Sequence, residues 1–130
     1  MQDREWMQQA FALAKTACNN GEVPVGAVLV NAEGKMLGAG WNKMVSSHDP
    51  TMHAEILAIK QACLAESNYR LDGCTLYATL EPCCMCAGAM IHARIKRLVF
   101  ATRDFKAGAA GSVYNLLHGY PLNHQIIIDE

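Results

Sequence analysis

Two short stretches, His53-Ala54-Glu55 and Pro82-Cys83-Cys84-Met85-Cys86, constrain this chain more than any other part of its sequence. One imidazole and two thiols, from His53, Cys83 and Cys86, make a plausible set of zinc ligands. Three protein ligands leave a fourth position open, which is typical of a catalytic zinc rather than a structural one. The carboxylate of Glu55 is left over, and it can move the proton that water loses when zinc activates it.

Helical spacing supports this grouping. Cys83 and Cys86 are three residues apart near the start of a helix, which we predict to run from Pro82 to about Ala93, so their sulfurs can face one point. We place His53 in the first turn of another helix, from about Met52 to Ser67. A structural zinc with Cys84 as fourth ligand is the alternative, although Cys84 points about 100° away from Cys83 around the helix.

Length and composition predict one domain spanning residues 1–130. The chain has 130 residues, of which 52% are hydrophobic and 18% charged, so it can bury a real core. We expect no membrane partner, because no apolar run approaches the roughly 20 residues of a membrane span. The N-terminus lacks the apolar region of a signal peptide, and six cysteines without an export signal favour reduced thiols. A cytoplasmic location is the resulting expectation.

The net charge of -1 argues against nucleic-acid binding by bulk charge alone. A local basic cluster stands out nevertheless, opposed only by Asp104. Two interpretations are open for it, a solvated helix end and strand flank or a surface that faces phosphates. The cluster contains Arg94, Lys96, Arg97, Arg103 and Lys106.

Hydrophobic periodicity predicts an α/β fold, a mixed five-stranded sheet with helices on both faces. The predicted order is α-β-β-α-β-α-β-(α)-β, in which the first two strands form an antiparallel hairpin. Besides the two helices above, we predict a helix over 3–20, strands over 25–31, 36–41, 75–80, 97–102 and 125–128, a short helix over 113–117, and a loop over 42–52.

The two stretches His53-Ala54-Glu55 and Pro82-Cys83-Cys84-Met85-Cys86 resemble the signature of the zinc-dependent nucleoside and nucleobase deaminases. That signature is H-x-E followed by P-C-x-x-C. Further strings resemble the bacterial tRNA-specific adenosine deaminases, and together they cover the chain from about residue 6 to 128. The strings are Glu22-Val23-Pro24-Val25-Gly26-Ala27-Val28, Gly40-Trp41-Asn42, His48-Asp49-Pro50-Thr51, Asn68-Tyr69-Arg70-Leu71, Thr79-Leu80-Glu81-Pro82-Cys83, Cys86-Ala87-Gly88-Ala89-Met90 and Gly108-Ala109-Ala110-Gly111-Ser112. The resemblance implies a cytidine-deaminase-like three-layer α/β/α fold.

The resemblance also implies a reaction, the hydrolytic deamination of the wobble adenosine to inosine in the anticodon loop of an arginine tRNA. One Zn²⁺ per chain, bound by His53, Cys83 and Cys86, would activate water, and Glu55 would shuttle the proton. Partners implied are a tRNA anticodon stem-loop and a second copy of the chain in a homodimer. No organic cofactor is expected.

Substrate contacts follow from the same resemblance. Asn42 matches a residue that hydrogen-bonds the flipped adenine, and Asp104 matches one that contacts the target ribose, where a 2′-hydroxyl distinguishes RNA from DNA. The backbone amide of Ala54 and the side chain of Val25 would help to form the base pocket. Family chains usually continue into a C-terminal helix that touches tRNA, so a shortened chain or a reduced RNA surface is expected here.

Two alternatives remain open at this stage. The first is a deaminase of a free base or nucleoside such as guanine, cytosine or cytidine, which would need no basic rim. The second is a non-catalytic, zinc-stabilised RNA-binding module, which would have no use for Glu55 beside an open metal position.

Overall fold

The computed structural model describes residues 1–118 and 124–130. Within those residues the chain forms four helices and five strands. They are α1 (Asp3–Asn19), β1 (Gly26–Val30), β2 (Met36–Trp41), α2 (Met44–Ser47), α3 (Ala54–Glu66), β3 (Thr75–Leu80), α4 (Cys84–Ala93), β4 (Arg97–Thr102) and β5 (Ile127–Asp129).

The strands form one mixed sheet in the order β2-β1-β3-β4-β5, which confirms the predicted five-stranded α/β architecture. β1 runs antiparallel to both of its neighbours, whereas β3, β4 and β5 are parallel. β2 and β3 therefore point the same way on either side of β1. As a result, the amino-terminal end of β1 lies at the same end of the sheet as the carboxyl ends of β2 and β3.

Alternating residues of β1 divide the core into two layers. Ala27 and Leu29 are fully buried in the cluster that contains α3 and α4 residues, whereas Val28 and Val30 pack with Trp6 of α1. Because successive side chains of a strand point to opposite faces, α1 covers one face and α3 covers the other. The predicted three-layer α/β/α arrangement is confirmed.

Two glycines let α3 lie directly on β2. A Cβ atom at Gly38 would stand 2.1 Å from the carbonyl oxygen of Ala58, and one at Gly40 would stand 2.6 Å from that of Ala54. Neither distance is tolerable, so the absence of side chains at these positions sets the separation of helix and strand. Ala54 is the first residue of α3, and the close contact therefore fixes where that helix begins.

Five predicted elements differ from the structure. The predicted loop 42–52 contains the short helix α2, and both long helices begin two residues later than expected, at Ala54 and Cys84. Residues 113–117 are not helical, because the N–H groups of Val113 and Tyr114 both donate to Gly108 and fold the segment back. The last strand is Ile127–Asp129 rather than 125–128.

The basic cluster is partly neutralised within the fold. Arg97 donates to both carboxylate oxygens of Asp3, at 2.9 and 2.7 Å, and to Asp129 at 2.7 Å. Tyr77 also donates to Asp3, at 2.6 Å, so this network joins α1 to three strands. Arg103 pairs with Glu130 at 2.8 Å. Two of the five cations are therefore paired with carboxylates within the fold, and both interpretations of the cluster, a solvated helix end and strand flank or a surface that faces phosphates, stay predictions.

Among residues 1–118 and 124–130, no helix combines the length and apolar character required to cross a bilayer.

Candidate active site

Two helix starts converge at one end of the sheet. His53 is the N-cap residue of α3, with an extended backbone, and Cys83 is the N-cap of α4. We expected His53 in the first helical turn and Pro82 as the first helical residue, but both stand just outside their helices. The extended conformation at His53 allows its ring and the Glu55 side chain to share a site, which regular helical spacing would prevent.

The three predicted ligand residues form one compact group. Nδ1 of His53 lies 3.6 Å from the sulfur of Cys83 and 3.6 Å from that of Cys86, and all three ligand atoms lie within 4.8 Å of one another. Bonds of about 2.1 Å to nitrogen and about 2.3 Å to sulfur, at a tetrahedral angle, separate those atoms by about 3.6 Å. The donor set and its spacing therefore fit a tetrahedral zinc ion.

The two thiols differ in acidity. A side-chain hydrogen bond from Cys86, helped by the backbone N–H groups of Cys86 and Met85 at the start of α4, lowers the pKa of Cys83 to about 5 against the opposing effect of burial. The same thiol pairing and burial raise the pKa of Cys86. One thiolate is therefore available near neutral pH, and zinc would stabilise the second.

Glu55 is a buried carboxyl group beside these ligands. Its residue is 4% exposed, and burial raises the pKa of its side chain. It lines a cavity of about 180 Å³ together with His53 and Cys83. That volume is smaller than the roughly 300–1,000 Å³ of pockets for drug-sized ligands. It suits one small ring held against the metal group and a proton-transferring carboxyl.

Asn42 connects the cavity to both predicted wall residues. Its Oδ1 accepts a hydrogen bond from the N–H of Ala54 at 2.8 Å, and its own N–H donates to the carbonyl of Val25 at 3.2 Å. Asn42 and Val25 both line the cavity, whereas Ala54 is fully buried behind it. Because Oδ1 is engaged, the side-chain NH₂ of this cavity-lining residue is left as a donor.

Asp104 lines the cavity from the loop after β4. Its Oδ1 accepts the N–H groups of Lys106 and Ala107, at 3.0 and 3.2 Å, which closes a tight turn. Its own N–H donates to Glu81 at 3.1 Å. The structure therefore gathers Val25, Asn42, Glu55 and Asp104 around one cavity, although the role of each remains a prediction.

Glu81 is a structural centre that the sequence did not indicate. Its carboxylate is 2% exposed and accepts hydrogen bonds from the N–H groups of Asp104, Ala110 and Ser112 and from the Ser112 hydroxyl. Burial alone would raise its pKa, but these donors outweigh it and lower the pKa. The one available signal in the sequence was the position of Glu81 between an apolar strand and Pro82. A carboxylate buried at such a position needs hydrogen-bond donors.

Glu22 plays a matching part on another wall. It is 5% exposed, and its carboxylate accepts the N–H groups of Val45 and Ser46, at 3.0 and 2.8 Å, at the start of α2. These bonds lower its pKa although burial opposes them. A carboxylate from a distant segment thus caps α2, which places Met44 on the cavity wall.

Comparison with known proteins agrees with this geometry. Residues 1–102 match the family described as the cytidine and deoxycytidylate deaminase zinc-binding region. The chain belongs to that family. Its relatives include the tRNA-specific adenosine deaminases of Haemophilus influenzae, 49% identical over 95% of this chain and 72% of that protein, and of Bacillus subtilis, 44% identical over 95% and 76%.

Solved structures of this deaminase family give the same result. One comes from structural studies of A-to-I editing by tRNA:A34 deaminases at the wobble position. It superposes with a TM-score of 0.92 at 39% identity, over 97% of this chain and 96% of that one. A guanine deaminase from Bacillus subtilis superposes with a TM-score of 0.78 at 40% identity, over 85% and 71% of the two chains.

Proposed function

We propose that this deaminase converts the wobble adenosine of a tRNA anticodon loop to inosine by hydrolysis. The observation that carries the proposal is the pairing of a zinc-type ligand group with buried Glu55 and with Asn42 around one cavity. The relatives named tRNA-specific adenosine deaminase and the tRNA:A34 deaminase structure supply the substrate class. An arginine tRNA is the acceptor we expect.

His53, Cys83 and Cys86 would hold the zinc, which supplies a Lewis acid that makes hydroxide available from water at neutral pH. Glu55 carries the protons. Burial raises the pKa of its carboxyl, so it can accept a proton from water and return it to the substrate ring nitrogen and then to the departing amine. Water adds at the carbon bearing the amine, ammonia leaves, and a carbonyl remains.

Asn42 would recognise the base. Its side-chain NH₂ donates to a ring nitrogen of adenine, while the N–H of Ala54 holds the amide in that orientation. The contribution of the Ala54 amide is thus to position Asn42. Val25, 5% exposed, forms an apolar wall on which the base packs.

Asp104 would contact the ribose. A carboxylate oxygen beyond those used in its turn can accept a 2′-hydroxyl proton, which DNA lacks. Lys106, the exposed cation two residues further on, is placed to meet a phosphate. Our proposal includes a cytoplasmic homodimer, which the family resemblance implies.

A free-base deaminase is the second candidate function. It is favoured by the guanine deaminase at 40% identity and by a cavity of only about 180 Å³, which would also admit a free base. Opposing it, two exposed apolar residues, Val45 of α2 and Phe105, stand next to the cavity-lining residues Met44 and Asp104, and a free base alone would leave them without a contact.

The deciding experiment is single-turnover incubation of the zinc-loaded protein with an arginine-tRNA anticodon stem-loop, with inosine measured after nuclease digestion. We expect stoichiometric inosine from the parent protein and none from Glu55→Ala. Deamination of free guanine or cytosine, with the stem-loop unchanged, would instead support the free-base candidate. Bound zinc without either activity would support the non-catalytic RNA-binding module.

A further inference from the structure

Phe105 is a large aromatic residue that the fold leaves 77% exposed beside the cavity. Its neighbour Asp104 lines the cavity, as does Ala107 two residues further on. On other walls, Val23 lines the cavity and is 56% exposed, and Val45 of α2, next to the cavity-lining Met44, is 65% exposed. The mouth therefore has an apolar rim, and Phe105 supplies its only aromatic ring among these residues.

The backbone that carries Phe105 is a closed, hydrogen-bonded turn. The carbonyl of Asp104 accepts the N–H of Gly108 at 2.9 Å, and the Asp104 side chain accepts two further N–H groups of the same turn. The N–H of Asp104 also donates to buried Glu81, which anchors this turn to the fold. A Cβ atom at Gly108 would stand 2.5 Å from the Asp104 carbonyl oxygen, so the turn is too tight for a side chain at that position. The segment that carries the ring therefore needs little backbone ordering on binding.

A reactive base that leaves its stack exposes the face of the base beside it. Aromatic side chains replace such lost stacking in single-stranded RNA recognition, and they do so largely independently of sequence. A net charge of -1, with Arg97 and Arg103 in ion pairs, gives this chain little affinity from charge alone. An uncharged contact at the mouth would therefore supply affinity for RNA that the charges of this chain do not.

We propose that Phe105 stacks on a nucleobase adjacent to the reacting adenosine and holds the single-stranded loop over the cavity. The inference rests on the proposed function and adds a positioning residue to it. Because the contact is apolar, its contribution does not depend on salt, whereas a phosphate contact from Lys106 does.

The test compares the parent protein with Phe105→Ala, Phe105→Trp and Phe11→Ala. Phe11 is a matched control, since it is the same residue type, 52% exposed, on α1 across the sheet. Binding of a fluorescently labelled anticodon stem-loop is followed by anisotropy at several salt concentrations. We expect Phe105→Ala to raise Kd by about 5- to 150-fold with an unchanged slope of log Kd against log salt.

Phe105→Trp should bind as well as the parent or better, and Phe11→Ala should not differ from the parent. Equal Kd values for the parent and Phe105→Ala would overturn the stacking role. It would also be overturned if Phe105→Ala changed the slope of log Kd against log salt, because the lost contact would then be electrostatic. Equal melting temperatures of all four proteins exclude a folding defect.

Turnover separates this inference from the proposed function. If the parent forms inosine and Phe105→Ala raises KM while kcat at saturating RNA is kept, both stand. If the parent forms inosine and the KM of Phe105→Ala is unchanged, only the stacking role falls. If the parent deaminates only a free base, the proposed function falls, and a parent that does not bind the stem-loop overturns the stacking role too.

Discussion

The side-chain oxygen of Asn42 accepts the backbone N–H of Ala54 at 2.8 Å, between the predicted metal ligand His53 and the predicted proton carrier Glu55. This bond ties the loop after β2 to the first residue of α3. It satisfies a buried donor at a helix start and orients the Asn42 amide in the same contact. Stability and the proposed recognition of the base therefore depend on the same side chain.

Substitutions at Asn42 should separate those two contributions. Asn42→Ala leaves the buried Ala54 N–H without its acceptor and should cost about 1–3 kcal/mol in the free energy of unfolding. Asn42→Asp keeps an oxygen acceptor but removes the NH₂ donor. It should therefore lose less stability than Asn42→Ala, while its kcat/KM should fall about as much as that of Asn42→Ala. Urea unfolding and single-turnover assays measure the two. Equal activity of Asn42→Asp and the parent would contradict a donor role.

Glu55→Gln should retain zinc and fold while losing turnover. The amide has the same shape but cannot transfer protons, so we expect kcat to fall by about 10²–10⁴-fold. Zinc content by mass spectrometry and the melting temperature serve as controls. A kcat within threefold of the parent, about 0.6 kcal/mol, would assign the proton transfer to another group.

Cys86→Ala should lose zinc, and neighbouring Cys84 provides the matched control. Cys86 is fully buried in the ligand group, whereas Cys84 is exposed. We expect about one zinc per chain in the parent and in Cys84→Ala, and far less in Cys86→Ala, by elemental analysis after dialysis. Lost zinc in Cys84→Ala with zinc kept in Cys86→Ala would reverse the ligand assignment.

Gly38→Ala should force α3 away from β2. The added Cβ would lie 2.1 Å from the Ala58 carbonyl oxygen, so we expect a loss of at least about 1–3 kcal/mol in unfolding free energy. Gly88→Ala in α4 is the control, because nothing lies within 4 Å of its Cβ. That change should stabilise the protein by about 0.5–1 kcal/mol. A neutral Gly38→Ala would mean that the helix can shift freely.

The Asp3 network should make stability depend on pH in acid. Hydrogen bonds from Arg97 and then Tyr77 lower the pKa of Asp3 from 3.8 to about 2. Because the pKa of Asp3 is lower in the folded state, its ionised carboxylate stabilises the fold fully at pH values above the pKa of the unfolded state. This stabilisation is lost as the pH falls from about 4 towards 2. Since the Asp3 side chain is half exposed, we expect about 1 kcal/mol after solvent screening. Asp3→Asn should flatten that part of a pH series of urea unfolding curves, and an unchanged slope would contradict the linkage.

Much of the architecture could be predicted because its signals are local. The strands Met36–Trp41, Thr75–Leu80 and Arg97–Thr102 begin and end at the predicted residues, where the largely apolar runs do. The ligand group could be predicted because its residue types are chemically restrictive, even though 30 residues separate His53 from Cys83.

What could not be predicted depends on distant partners. α2 is only four residues long, and it is capped by Glu22 from more than 20 residues away. Residues 113–117 carry a helix-like pattern, but Gly108 and Ala109 accept their N–H groups and bend the backbone. Arg97 looked like part of a basic surface because Asp3 lies 94 residues earlier. Charge patterns alone do not reveal such partners.

The side chain of Gln61 accepts the N–H of Ala39 at 2.7 Å on the outer side of β2. This contact occupies a backbone donor on an edge strand, and at the opposite edge β5 has only three residues, with Asp129 in an ion pair. Exposed strand edges are where separate sheets add to one another and aggregate. Both features reduce the ability of these edges to add a strand. Association of copies through helices and loops is therefore favoured over association through the sheet edges.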